Sequence, residues 1–378
     1  MDITRATPLL GGLSAQQFMR RHWQKTPLVI REAMAGVTPP LTRAALFALV
    51  QSDEVESRLV VRHGDGWALK HGPFSRRALP PLAQAGWTLL VQGLDLHVDA
   101  ARALLDRFRF VPDARLDDLM LSYASDGGGV GAHVDSYDVF LLQVHGRRRW
   151  RIGRQRELTL RADLPLKILA HFTAEQEFVL DPGDMLYLPP RWAHEGVAIG
   201  GDCMTCSIGL RAPGRFEIGQ AVLQRALDAN DAPDSDVLYR DPRQPASPTP
   251  GRIPAGLEAF ALDAVARFTH DPQALACALG EVLSEPKPRV VFGTGEAALA
   301  GAGVRLDRRS RMLYDERRIY LNGESYSASG RDRVAMRRLA DERCLGALEL
   351  ARLSAGAREL LGEWAAAGWL HNGAECKE

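Results

Sequence analysis

GGGVGAHVDSYDVFLLQVHGRRRWRIG, residues 127–153, and DPGDMLYLPPRWAHEGVA, residues 181–198, decide how this chain is read. Both are short alternating runs punctuated by glycine and proline, the pattern of antiparallel strands joined by tight turns. The same texture extends from Leu119 to Leu210 through LMLSYAS (119–125), EFVLD (177–181) and CMTCSIGL (203–210), which predicts an antiparallel sheet or barrel. In this reading AHVDSYDVFLLQV (132–144) and RRRWRIG (147–153) are separate strands, with His145 and Gly146 at the turn between them.

His133 and Asp135 stand two apart in a predicted strand, so their side chains share a face. His194 lies 59 residues after Asp135, beyond another strand, and an antiparallel barrel brings such distant strands together. Two histidines and one carboxylate on one side of a metal form the facial triad of non-haem Fe(II) oxygenases, which leaves positions open for a co-substrate and oxygen. A bare His-x-Asp occurs often on solvated surfaces. The distal histidine behind a Gly-Asp-apolar-Pro-Pro run makes the set far more specific.

Alternation along RRRWRI (147–152) puts Arg148, Trp150 and Ile152 on one face and Arg147, Arg149 and Arg151 on the other. The apolar face must be the inner one, so Arg148 points inward. A buried guanidinium requires an anion. Either a barrel carboxylate supplies it as a structural salt bridge, or a diacid co-substrate such as 2-oxoglutarate does, chelating iron at one end and meeting Arg148 at the other. On the strand before the triad, Asp118, Met120 and Ser122 share a face opposite Leu119, Leu121 and Tyr123. If that face lines the barrel, Ser122 reaches the co-substrate and Asp118 sits nearer the mouth; otherwise Asp118 is a strand or helix cap. Tyr137 has the parity of His133 and Asp135 and falls beside the metal or in the core.

Composition narrows the class. The chain has 378 residues, 46% hydrophobic and 25% charged, enough for a packed core spread over two or three domains. Its 47 Lys plus Arg cancel 47 Asp plus Glu, which argues against a coat for nucleic acid or anionic membrane. The opening MDITRATPLLGG lacks the features of a signal peptide, and no apolar run reaches membrane-span length, so a cytoplasmic setting is expected. Five cysteines are too few for a disulfide framework, and Cys203-x-x-Cys206 reads as two strand thiols facing opposite sides.

Before the barrel, HWQKTPLVIR (22–31) ends in an apolar strand after Pro27, WTLLVQGLDLH (87–97) reads as another strand and Ala100–Phe108 as a helix. After Pro213 the pattern turns helical in FEIGQAVLQRALDAN (216–230) and over Leu257–Leu283, separated by the linker DPRQPASPTPGRIPAG (241–256) with its five prolines. A hairpin in RMLYDERRIYLNG (311–323) and an amphipathic helix in GARELLGEWAAAGWLHNG (356–373) suit a winged helix. Residues 304–343 hold eleven Arg against seven acidic residues, a small excess that favours docking or plain surface over nucleic-acid contact.

On these motifs, with FRFVPDARLDDLMLSYASDGGG (108–129), the chain resembles the JmjC-type cupin oxygenases, specifically the bacterial ribosomal oxygenases. The resemblance implies a mainly β fold with helices: an N-terminal segment and double-stranded β-helix barrel over 1–213 (catalytic core 99–213), a helical dimerisation region over 214–287 and a winged helix over 288–378. It implies Fe(II)- and 2-oxoglutarate-dependent hydroxylation of an arginine side chain, at the β-carbon, in ribosomal protein L16 of the large subunit, by a homodimer. By motif, His133, Asp135 and His194 would bind iron, and Arg148 and Ser122 would bind 2-oxoglutarate. Thr205, where many relatives have Asn, is placed near the same co-substrate, and Asp118 and Tyr137 near the substrate. Eukaryotic members act on histidine, which leaves a histidine-directed hydroxylase as an alternative. A zinc hydrolase and a non-catalytic winged-helix regulator are the rivals outside the family.

Overall fold

The structure, a computed structural model, describes residues 2–229, 237–242, 251–299 and 303–373, which fall into two compact units, Met1–Ala212 and Pro213–Glu378. The first unit contains ten strands: β1 Leu28–Ile30, β2 Ser57–His63, β3 Gly66–His71, β4 Trp87–Val91, β5 Leu116–Ala124, β6 His133–Val134, β7 Asp138–Gly153, β8 Gln176–Leu180, β9 Met185–Leu188 and β10 Ala193–Leu210. All pairings are antiparallel, in the order β1-β9-β7-β10-β5-β4-β2-β3, with β8 on β7 and β6 on β10.

Two long strands organise this sheet. β7 and β10 pair from Ala193↔Gly153 to Leu210↔Asp138, with the register shifting between Ile199 and Thr205. One half of each strand joins β9 and β5 in a large sheet, and the other joins β8 and β6 in a small one. The shift falls where β7 has Gly146 at φ 60° and β10 has Gly200 at 73° and Gly201 at 128°, conformations that side chains with a Cβ resist. A bend there also changes the alternation. Val139 and Leu141 face the interior before it, Arg148 and Trp150 after it. Strict alternation through residue 146 would have turned Arg148 outward. The predicted turn at His145–Gly146 is therefore a bend within one strand, and His145 Nε2 lies 3.5 Å from Asp202 Oδ1 across it.

The large sheet separates two apolar layers. Leu119, Leu121, Tyr123, Phe140, Leu142 and Tyr187 face the main core, with Phe18, Leu46, Phe47, Leu104 and Leu105 from helices Ala15–Arg21, Arg43–Leu49 and Asp99–Asp106. Their sequence neighbours Val139, Leu141, Leu186 and Leu188 face the other way and pack with Trp150, Ile152 and Leu180 of the small sheet. Each of these buried side chains is worth roughly 1.5–3 kcal/mol, so the alternating pattern fixes which residues face the space between the sheets.

Some elements differ from expectation. The strand predicted over 132–144 is interrupted: β6 ends at Val134 and β7 begins at Asp138, so Asp135 and Tyr137 lie in the connection. WTLLVQGLDLH is a strand only to Val91, after which Gly93 at φ 58° turns the chain into a short 3-10 helix. Within GGGVG (127–131), Gly127 and Gly128 exchange backbone hydrogen bonds with Ala198, and a Cβ at Gly129 would overlap the Gly196 carbonyl at 2.5 Å.

In the second unit the helical stretch 257–283 is two helices, Ala255–Thr269 and Pro272–Ser284, broken where Asp271 accepts from the amides of Gln273 and Ala274 ahead of Pro272. Residues 243–250 of the proline-rich linker lie outside the described residues. The hairpin predicted in 311–323 pairs Met312–Tyr314 with Arg318–Leu321, and Glu324–Ser327 extends it. The C-terminal helix stops at Ala366, and Leu370–Asn372 is a strand paired with Val304–Leu306. Part of the arginine excess of this unit is neutralised: Arg309 meets Asp307, Arg337 meets Glu316, and Arg338 meets Glu342 and Glu349.

A methyl group at position 146 would overlap the Asp202 carbonyl and crowd Cys203. Gly146→Ala is expected to destabilise the protein by at least ~2 kcal/mol, combining left-handed backbone with a steric clash. Urea unfolding followed by tryptophan fluorescence checks this; a midpoint unchanged from wild type would show that the bend does not need glycine.

Candidate active site

Between the two sheets lies a cavity of about 420 Å³. Its lining includes His133, Asp135, Tyr137 and His194 at one side, Asp118, Met120, Ser122 and Ser207 on the large sheet, and Arg148 and Trp150 on the small one. The His133↔His194 register pair of β6 and β10 sets the two imidazoles side by side, ring centroids 4.2 Å apart. Asp135, just past the end of β6, brings its carboxylate to both: Oδ1 is 3.9 Å from His133 Nε2 and Oδ2 is 3.6 Å from His194 Nε2. One ligand atom from each of the three lies within 4.8 Å of the others.

Hydrogen bonds fix the tautomer. His133 Nδ1 is 2.9 Å from the Gly131 carbonyl, and His194 Nδ1 is 3.0 Å from the Trp192 carbonyl. A carbonyl only accepts, so each Nδ1 carries a proton and each Nε2 presents a lone pair to the cluster. Such outer bonds orient histidines for metal coordination. Burial first, and the neighbouring His133 second, lower the pKa of His194 to about 4, so its ring is neutral near neutral pH. The donor set fits a divalent transition metal with imidazole and carboxylate ligands, and all its members come from one edge of the cavity.

Arg148 lies across the same cavity and is 6% exposed. Its Nε donates to Cys203 Sγ at 3.4 Å, its guanidinium carbon lies 5.7 Å from the Trp150 ring centroid, and Nη2 is buried without a partner. No barrel carboxylate meets it: among the described residues no salt bridge to Arg148 occurs. An uncompensated buried cation facing a cavity calls for an anionic ligand there.

Ser122 lines the cavity, and its hydroxyl donates to the Thr205 carbonyl at 3.3 Å. Thr205, expected at the co-substrate, is not a lining residue. It is fully buried and donates to Gln143 Oε1 at 2.8 Å, while Gln143 Nε2 donates to the carbonyls of His145 and Gly146. Its hydroxyl supports the β7 bend, because position 205 adjoins the register shift. Asp118 is 2% exposed within the cavity wall, and Oδ2 accepts from the Gly93 amide at 2.8 Å and Gln92 Nε2 at 2.9 Å. Tyr137 stands at the rim, 37% exposed, its phenol pKa raised by desolvation and by Asp135 and Asp118.

Other lining groups carry no sequence signal of their own. Arg58 and Gln92 arrive from the edge of the large sheet, joined by a 3.2 Å hydrogen bond. Lys167 comes from the irregular segment after β7, which docks through Ile168 packed over Gly131 and a Leu169 amide donating to the Ala132 carbonyl.

The paired sheets, the His-Asp-His cluster and the unneutralised arginine define a cupin-type oxygenase site. Residues 103–218 match the JmjC domain family and residues 267–371 the ROXA-like winged helix. The chain is 40% identical over 233 residues to the ribosomal protein uL16 3-hydroxylase of Escherichia coli K12, covering 60% of this chain and 62% of that protein. It is 38% identical over 206 residues to a probable ribosomal oxygenase of Haemophilus influenzae, covering 53% and 50%. The matched stretch is thus less than two thirds of either curated relative. Against solved structures, Escherichia coli YcfD superposes with a TM-score of 0.81 at 30% identity over 95% of this chain and 98% of that one. YcfD in complex with cobalt and 2-oxoglutarate does so with a TM-score of 0.77, at the same identity and coverage. The chain belongs to the JmjC ribosomal oxygenase family, with the barrel and winged helix that its sequence predicted.

Removing the bridging carboxylate tests the cluster. Asp135→Ala is expected to abolish stoichiometric Co(II) binding, read from the visible absorption of the ion, while thermal unfolding stays within a few degrees of wild type. Retention of one tightly bound Co(II) per chain would exclude Asp135 as a ligand.

Proposed function

We propose that this protein is an Fe(II)- and 2-oxoglutarate-dependent oxygenase that hydroxylates an arginine side chain of ribosomal protein uL16 (L16), at the β-carbon. One observation carries the reading: Arg148 is buried with an unpartnered Nη2 in the same cavity as the His133–Asp135–His194 cluster. A zinc hydrolase has no use for that cation. A co-substrate with an acid at each end uses both.

In this reading His133, Asp135 and His194 hold Fe(II), which when bound activates dioxygen with 2-oxoglutarate as reductant, giving succinate, carbon dioxide and the hydroxylated side chain. Gly131 and Trp192 hold the two imidazoles with their lone pairs turned inward. Arg148 takes the far carboxylate of 2-oxoglutarate, with Ser122 as a second polar contact, and so directs the 2-oxo acid end across the cavity. Leu141, Val139 and Trp150 keep that end of the cavity apolar and exclude bulk water. Asp118, anchored by Gln92 and Gly93, offers a carboxylate to a cationic side chain entering past Tyr137. A fixed carboxylate suits guanidinium better than imidazole, which favours arginine over histidine as target. The relative's name supports uL16 as substrate.

We also read the molecule as a homodimer acting in the cytoplasm, where its substrate is made. The helix Arg215–Asp228 exposes Phe216, Leu223 and Leu227, and Ala255–Thr269 exposes Leu262 and Val265, apolar surface of the kind that subunit contacts cover. Among the described residues no helix is long and apolar enough to cross a membrane.

The direct experiment incubates the iron-loaded protein with 2-oxoglutarate and uL16. Succinate formation matched by a gain of one oxygen atom on a single uL16 arginine, located by tandem mass spectrometry, is the expected result. Decarboxylation without any mass gain on uL16 would overturn the substrate assignment. The co-substrate seat has its own test by titration under saturating metal. Arg148→Ala is expected to weaken 2-oxoglutarate by roughly two to four powers of ten, the ~3–5 kcal/mol of a broken buried pair. Arg149→Ala, on the opposite face, is expected to cost ~0–1 kcal/mol. Arg148→Lys, keeping charge but losing the planar fork, falls between them. Equal losses at 148 and 149 would remove Arg148 from the seat.

A further inference from the structure

We infer that Cys203 is a positioning residue for the co-substrate, holding the Arg148 guanidinium so that its outer nitrogens are left for an incoming carboxylate. The inference rests on the assignment of Arg148 to the diacid. Its observations are independent of the metal. Cys203 is fully buried, and its sulfur accepts the Arg148 Nε–H at 3.4 Å, a normal distance for a sulfur acceptor. Register places it there: Ala198 pairs with Arg148, Cys203 pairs with Ala124, and these three small residues form a closed apolar nook beside the guanidinium stem.

An arginine has five N–H donors in a rigid fork. One is satisfied by sulfur and the cationic face lies over Trp150, while Nη2 remains buried without a partner. The choice of acceptor matters. A carboxylate at position 203 would satisfy Nε equally but would neutralise the charge that the co-substrate must find. A neutral thiol fixes the orientation and leaves the full positive charge for the ligand. Its burial in the nook also limits the rotamers available to Arg148, so the seat is formed before the ligand arrives. The other thiol of the pair, Cys206, faces the main core and takes no part.

The test compares wild type, Cys203→Ala, Cys203→Ser, Arg148→Ala and the Cys203→Ala/Arg148→Ala double variant, each loaded with Mn(II). Calorimetric affinities are measured for 2-oxoglutarate and for pyruvate, which has the 2-oxo acid end but no far carboxylate. Cys203→Ala is expected to weaken 2-oxoglutarate about 5- to 20-fold and leave pyruvate within about twofold. Cys203→Ser, with a shorter side chain that still accepts, is expected to lie between Ala and wild type. In the Arg148→Ala background the effect of Cys203→Ala on 2-oxoglutarate is expected to vanish, as coupling through Arg148 requires. Unchanged 2-oxoglutarate affinity in Cys203→Ala, or equal weakening of both acids, would overturn the role of Cys203 while Arg148→Ala still weakens the diacid. If Arg148→Ala itself binds 2-oxoglutarate normally, the co-substrate assignment fails first, and the two failures are thus distinguished. Should Cys203→Ala not fold, the same comparison is read from Cys203→Ser.

Discussion

The pairing of β7 with β10 along almost their whole length, broken once at glycines, is the constraint from which the rest of the first unit follows. Without the break, two strands of 16 and 18 residues would form a flat ribbon with one inner face. With it, each strand contributes to two sheets and reverses its alternation, so Leu141 and Arg148, seven residues apart, both face one cavity. The left-handed conformation of Gly146 costs little only because no Cβ is present. Thr205, Gln143 and the carbonyls of His145 and Gly146 form a closed hydrogen-bond network that holds the bend in one shape.

The bend also separates two kinds of electrostatics. On the metal side, burial keeps His194 neutral and backbone carbonyls fix both imidazoles, so the site presents lone pairs. On the opposite side, among the described residues, the Arg148 guanidinium has no carboxylate partner. Removing water from an unpaired cation costs stability, which a diacid bound as proposed would return. Under the proposed function the arrangement trades some stability for affinity, which would account for the broken rule for burying charge at Arg148.

The grouping of these side chains was legible because it depends on residue type and parity. His133, Asp135 and His194 are identified by kind and by the Gly-Asp-apolar-Pro-Pro run, and Arg148 by its place among Trp150 and Ile152. Asp118, Met120 and Ser122 fell on the cavity face because Leu119, Leu121 and Tyr123 alternate against them toward the main core, the irregularity of β5 lying between Leu116 and Leu119. What could not be read depends on breaks in regularity. Alternation restarts at Gly146, and the adjacent register shift sends Thr205 into the network behind the wall. Asp135 reaches the cluster from a connection, because β6 is only two residues long. Lys167 belongs to a segment without periodicity, and Arg58 and Gln92 reach the cavity through long-range pairing of β2, β4 and β5 that no local pattern announces. In the second unit Asp271 caps a new helix ahead of Pro272 and so divides a continuous helical pattern.

The central claim is that one cavity holds a metal at His133, Asp135 and His194 and a diacid stretched from that metal to Arg148. A crystal structure of the protein soaked with Mn(II) and 2-oxoglutarate tests it most directly. The account predicts the ion on those three side chains, with the far carboxylate of 2-oxoglutarate hydrogen-bonded to the outer nitrogens of Arg148. An ion held by other residues, or a diacid whose far end leaves Arg148 without an anion, would contradict it.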